Sequence, residues 1–186
     1  MCGISLGASV AIELAWLITV DGSISLGGLL CDGGTFLRRT WPKRFLRSLF
    51  VSRLFKKAKE GTEDEAVAML MRSRAVRLFT GADPTPFRPL LADMVRVARV
   101  ISPKSIRAFE KAMCSFGWTP LPEEVTRRTV FLWSGRDPAR RAHRKLRTVY
   151  PNAIYQSIGR FGHGGLALAE PQSYALLIKG LTADYR

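Results

Sequence analysis

A serine, an aspartate and a histidine each stand in this chain among unusually small or turn-forming neighbours. Met1-Cys2-Gly3-Ile4-Ser5-Leu6-Gly7-Ala8 contains Gly3-x-Ser5-x-Gly7 and runs at once into a long apolar stretch. The G-x-S-x-G spacing suits a serine on a tight turn between a strand and a helix, with neighbours small enough to tolerate a strained backbone. A helix that starts there turns its free N–H groups and positive dipole end toward the hydroxyl, where an oxyanion would form. Ser134-Gly135-Arg136-Asp137-Pro138 offers a carboxylate at the end of an apolar run. Gly159-Arg160-Phe161-Gly162-His163-Gly164-Gly165 presents an imidazole on a loop too glycine-rich to be ordinary. Together these are the groups of nucleophilic catalysis: a hydroxyl, a base to take its proton, and an acid to orient the base.

Each group has a plainer reading beside the chemical one. Ser5 is a favoured N-cap residue and could serve only to start the helix. Asp137-Pro138 is also an ordinary turn pair. His163, flanked by glycines, reads as presented rather than packed. His143 sits in an arginine-rich helical stretch and reads as a surface residue. Glu13 reads as a structural hydrogen-bonding group near the first helix.

The elements that must position these groups follow from periodicity. Ala8 to Leu17 is apolar around most of a helical circumference, which predicts a buried central helix. Ile24 to Cys31 predicts a buried strand ending at Asp32-Gly33-Gly34. From about Trp41 to Phe116 the pattern is helical. Phe45, Leu46, Leu49, Phe50 and Leu54 form one apolar stripe, and Thr62 with Glu65 predicts a capping box for a helix reaching about Phe79. A third helix is predicted over about 87–101. A fourth starts at Ser102-Pro103, with Ile106, Phe109, Ala112 and Met113 inward. Pro120 to Glu124 reads as a linker. Thr129 to Trp133 and Asn152 to Ile158 read as strands, with a basic helix between them and a last helix over about 171–181. Alternating strands and helices imply an α/β fold with a parallel sheet covered on both faces, into which the helical block is inserted. The expected divisions are 1–37 and 126–186 for the sheet core and 38–125 for the inserted helices.

Composition narrows the class. The 186 residues suffice for one core, and 47% hydrophobic residues exclude a disordered chain. Three scattered cysteines (Cys2, Cys31, Cys114) form no metal-ligand spacing and read as small buried residues of a reducing compartment. The apolar stretch from Gly3 to Val20 has no basic segment before it, carries Glu13 and ends at Asp21-Gly22, so neither a signal peptide nor a membrane span is expected; the expected location is the cytoplasm. The net charge of +14 is concentrated in two segments, 38–59 and 136–147. Such clusters read first as solvated helix faces. An anionic surface is the alternative partner, and no nucleic acid is expected, because no nucleic-acid-binding pattern accompanies them.

The order Ser5…Asp137…His163, each group at the C-terminal end of a strand, resembles that of the α/β-hydrolases of the single-domain esterase and lipase type. The resemblance runs from the elbow onward and covers almost the whole chain. It implies an incomplete α/β-hydrolase fold whose inserted helices form a lid. Ser5 would be the nucleophile, His163 the base, Asp137 the acid, and the backbone N–H of Leu6 an oxyanion donor. Because some members place the acid one strand earlier, Asp32 is the alternative acid. The implied substrate is a small molecule with an ester or other acyl bond, and neither a metal nor an organic cofactor is implied. The resemblance also implies departures. The strand that supports the elbow and the loop with a second oxyanion donor are expected to be missing, and glycine in the acid loop is displaced to Gly135. A sheet cut in this way would leave an exposed edge open to self-association. A degenerate, non-catalytic member whose basic lid binds an anionic partner is the rival expectation.

Overall fold

The computed structural model describes residues 1–34, 36, 53, 55–80, 83–159, 161–181 and 183. Four parallel strands lie side by side in chain order: β1 (Cys2–Ile4), β2 (Leu29–Asp32), β3 (Thr129–Ser134) and β4 (Ile154–Ile158). The register aligns Ile4 with Asp32 and Asp32 with Leu132, so the C-terminal ends of neighbouring strands fall together. β2 and β3 are apolar on both faces because both are covered, as parallel strands require.

Alternation along the strands divides the core into two layers. On one face Leu29, Cys31 and Phe131 meet helix α1 (Leu6–Asp21) through Ala8, Ala11, Ile12 and Ala15. Leu146 of a further helix, numbered below, and Tyr150 join the same cluster. On the other face Leu132 meets Leu166 and Tyr174. The aromatic packing is dense on the first face: the Phe131 ring stacks on Tyr150 and Tyr155 at 5.5 and 5.3 Å.

A supporting strand does precede the elbow, contrary to expectation. It is only three residues long, but Cys2 to Ile4 is in register with Leu30 to Asp32. The second strand is shorter than the apolar run suggested. It begins at Leu29, where the backbone N–H finds the Arg128 carbonyl at 2.9 Å, and among the described strands none pairs with Ile24 to Gly28. The first helix is buried on one face alone. Val10, Leu14, Leu17 and Val20 are exposed, since among the described residues the helix packs mainly against β1 and β2. Cys2 is exposed as well, while Cys31 and Cys114 are buried.

The helical block contains α2 (Glu63–Arg72), α3 (Arg74–Thr80), a 3₁₀ turn at Thr85–Phe87, α4 (Arg88–Val100) and α5 (Pro103–Met113). The capping box forms as read: the Thr62 hydroxyl accepts the Glu65 N–H at 3.2 Å, and the Glu65 carboxylate accepts the Thr62 N–H at 2.7 Å. What read as one helix is broken at Ser73. Its hydroxyl accepts the Val76 N–H and so caps α3 instead of continuing α2. The core of the block is Ala66, Val67, Leu70, Phe87, Leu91 and Val95. In α5 the buried positions are Ile106 and Glu110, whereas Phe109 is 41% exposed and Ala112 faces outward. The residues read as a linker include the start of a short helix, α6 (Glu123–Arg127). The stripe from Phe45 to Leu54 lies outside the described residues.

After β3 come a 3₁₀ turn at Pro138–Ala142, α7 (His143–Val149), β4, α8 (Gly165–Ala169) and α9 (Pro171–Leu181). Among the described residues no helix is long and apolar enough to cross a membrane.

Candidate active site

Ser5 sits in the turn that joins β1 to α1, with φ 58° and ψ −121°. Apart from Trp118 it is the only described non-glycine residue with positive φ. Such a conformation costs about 1–3 kcal/mol and persists only where the surroundings impose it. Two contacts impose it here. The Ser5 N–H donates to the Asp32 carbonyl at 2.8 Å, and the first turn of α1 closes onto Gly3. A Cβ at Gly3 would fall on the Gly7 carbonyl and within 2.7 Å of the Ala8 nitrogen, so only glycine lets strand and helix approach this closely. The Ser5 side chain makes no capping hydrogen bond to the helix, which removes the N-cap reading of this residue. Leu6 opens α1, where a backbone N–H has no intrahelical acceptor.

Asp137 and His163 are brought together from loops at the ends of β3 and β4. Oδ2 of Asp137 lies 3.0 Å from Nδ1 of His163. The aspartate is 1% exposed and the histidine 18% by side chain, so the pair is screened on the aspartate's side and open on the histidine's. Backbone bonds fix the two loops to each other. Gly135 N–H donates to the Gly159 carbonyl at 3.1 Å and Arg136 N–H to the Phe161 carbonyl at 3.1 Å. The other carboxylate oxygen of Asp137 accepts the Ala139 N–H at 2.7 Å. The Asp-Pro turn and the histidine partner are therefore one arrangement, since the turn's own hydrogen bond orients the carboxylate.

Asp32 is buried at the end of β2 and takes a different partner. Its Oδ2 accepts the Tyr174 hydroxyl of α9 at 2.8 Å. Burial pushes its carboxyl above the ordinary range, while the Tyr174 hydrogen bond and nearby His163 pull it back. Burial and the adjacent Asp32 push the Tyr174 phenol upward in turn. Of the two candidate acids, Asp137 is the one bonded to the imidazole.

Two contributors to this geometry escaped the sequence reading. Gly33 has φ 56°, and a Cβ there would stand 2.8 Å from Asp137 Oδ2 and 3.0 Å from His163 Nδ1. A left-handed turn without a side chain gives Asp137 and His163 their room; the Asp32-Gly33-Gly34 run was the available signal. Tyr174 stands among apolar residues at helical spacing in the last helix, and nothing in that pattern marks its hydroxyl as bonded. Glu13 behaves as read, accepting the Thr119 hydroxyl at 2.6 Å. His143 does not. It is half-buried, with its ring 4.3 Å from that of Trp133, and Nε2 accepts the Arg147 Nε–H at 2.6 Å. Burial, with Arg147 beside it, lowers its basicity.

No protein-family model matches the chain, and no curated protein matches it in sequence. Solved structures do match in fold. An α/β-hydrolase enzyme, MGS-M2, from a Medee basin deep-sea metagenome superposes with a TM-score of 0.65 at 16% identity, covering 98% of this chain and 64% of that one. MenH from S. aureus gives 0.61 at 16% identity, with 99% and 67% covered. A thermophilic esterase from Thermogutta terrifontis gives 0.60 at 14% identity, with 99% and 64% covered. The chain thus spans about two thirds of the length of the solved structures it matches, and over that length its fold is that of the α/β-hydrolases.

Proposed function

Proceeding from that fold, we propose that the chain carries the catalytic residues of a serine hydrolase that cleaves an ester or other acyl bond through an acyl-enzyme. The observation that carries the reading is the bond between buried Asp137 and Nδ1 of His163, at the strand ends where Ser5 occupies its strained turn. In the proposed reaction Ser5 Oγ attacks the acyl carbonyl as Nε2 of His163 takes its proton. The carbonyl electrons move onto oxygen, which the Leu6 N–H stabilises at the start of α1. Collapse expels the alcohol or other leaving group, which receives the proton from His163. Water, deprotonated by the same imidazole, then attacks the acyl-serine and releases the acid. Asp137 holds the imidazole in the required tautomer and stabilises its cation.

A fluorophosphonate probe tests this reading. Covalent labelling is expected for the wild type and its loss for Ser5→Ala. A folded wild type that takes no label would contradict it.

The rival reading, a non-catalytic protein of the same fold whose basic lid binds an anionic partner, rests on the charge of the helical block, only part of which is paired among the described residues. There Arg88 pairs with Asp64, and Arg96 with Glu63 and Asp93. The exposed cations at 136–147 belong to the sheet core instead, next to the acid loop.

A further inference from the structure

The Asp32 carboxylate is buried, yet it belongs to neither the proposed nucleophile nor the acid–base pair. It lies where three parts of the site meet. Its own backbone carbonyl holds the Ser5 N–H at 2.8 Å. Its side chain holds the Tyr174 hydroxyl at 2.8 Å. Its chain neighbour Gly33 occupies the turn against both Asp137 and His163, and the Gly33 N–H donates to the Leu132 carbonyl at 2.8 Å. Tyr174 lies on α9, which packs against α8, and α8 begins two residues after His163. The bond between Asp32 and Tyr174 therefore closes a circuit from the elbow, through the end of β2, to the helix pair that follows the histidine loop.

Resting on the serine-hydrolase reading above for its catalytic meaning, we propose that Asp32, latched by Tyr174, is a positioning residue. It fixes the histidine loop against the elbow and supplies a second negative charge, beside that of Asp137, to the imidazolium of His163. A buried carboxylate is costly to keep, and an apolar residue would pack more cheaply beside Leu132 and the Tyr174 ring. Its place is explained if its charge is used. Among the described residues, the titratable groups facing it are Tyr174 from α9, His163 and Asp137 from the two loops, and Cys2 from β1; Cys31 precedes it in β2. Of these, only His163 can carry the positive charge that a carboxylate would stabilise. The geometry also separates this role from that of the triad acid. Asp137 contacts the imidazole directly, whereas Asp32 acts across the Gly33 turn.

The chain has two histidines, so the imidazole signals of His163 and His143 can be followed individually by NMR. Titrations are compared for the wild type, Asp32→Asn and Tyr174→Phe. Asn retains an acceptor oxygen for the Tyr174 hydroxyl while removing the charge. The His163 midpoint is expected to fall by about one unit in Asp32→Asn, as loss of a nearby opposite charge dictates. In Tyr174→Phe it should fall in the same direction by less, because the carboxyl then loses the donor that favours its charged form. The His143 midpoint should stay fixed in all three and serves as the internal control. An unchanged His163 midpoint in Asp32→Asn, or a shift of equal size in both histidines, would overturn the proposal. Because the titration needs no turnover, it judges Asp32 even if the wild type takes no fluorophosphonate label, which would count against the serine-hydrolase reading alone.

Discussion

At the scale of single residues, the site depends on what two positions lack or bury. Gly33 lacks a side chain where a Cβ would meet both Asp137 and His163, and its φ of 56° disfavours any replacement. Gly33→Ala should therefore add about 1–2 kcal/mol of backbone strain and part Asp137 from His163. Labelling by a fluorophosphonate should slow at least tenfold while circular dichroism shows the fold retained. Asp32 makes a prediction about pH and stability. Its carboxyl is raised by burial, so between the unfolded value of about 3.9 and the higher folded value the native state binds more protons than the unfolded one. Its contribution favours the fold below that window and is lost as pH rises through the folded value. Urea denaturation should accordingly show the wild type gaining on Asp32→Asn as the pH falls from neutral toward 4; the opposite slope would contradict the assignment. The sequence singles out Ser5, Asp137 and His163 as candidates because small neighbours and turn residues mark them. It could not disclose Tyr174 as a partner, because a tyrosine on an apolar helix face looks the same whether its hydroxyl is bonded or solvated.

At the scale of elements, the elbow is held by backbone against backbone. Gly3 in β1 touches the first turn of α1 through main-chain atoms that no rotamer change can move aside. Gly3→Ala should therefore force the strand and helix apart and lose Ser5 labelling. The conservative change Val10→Ala, at an exposed position of the same helix, should leave labelling unaltered. The last helix was legible to its end residues because Pro171 opens it and apolar residues recur at helical spacing. The break at Ser73 was not legible. A serine inside an apolar-periodic run gives no sign of whether its hydroxyl will cap a new helix, and the choice was settled by the packing of α2 on α4. The partial burial of α1 escaped for a related reason: an all-round apolar pattern says that every face could be covered, and covering depends on neighbours.

At the scale of the whole molecule, charge is the distinguishing feature. The +14 net charge includes Arg136, Arg140, Arg141, Arg144 and Arg147, exposed beside the acid loop, and no described carboxylate forms an ion pair with any of them. Such a field should attract negative ligands to this rim of the sheet. An anionic acyl ester should thus react faster at low ionic strength, losing that advantage near physiological salt, whereas a neutral ester should show little salt dependence. The parallel sheet could be read from the alternation of strands and helices. The placement of β1 at its outer edge among the described strands could not, because strand order is fixed by long-range pairing that no local pattern encodes. The proposal that Ser5 is the nucleophile is tested most directly by trapping the acyl-enzyme. The protein is quenched during turnover of an activated acetyl ester, digested, and the acylated residue located by tandem mass spectrometry. The expected result is an acetyl group on Ser5 that is absent in His163→Ala. An acetyl group on the exposed thiol of Cys2, or none on this peptide, would contradict it.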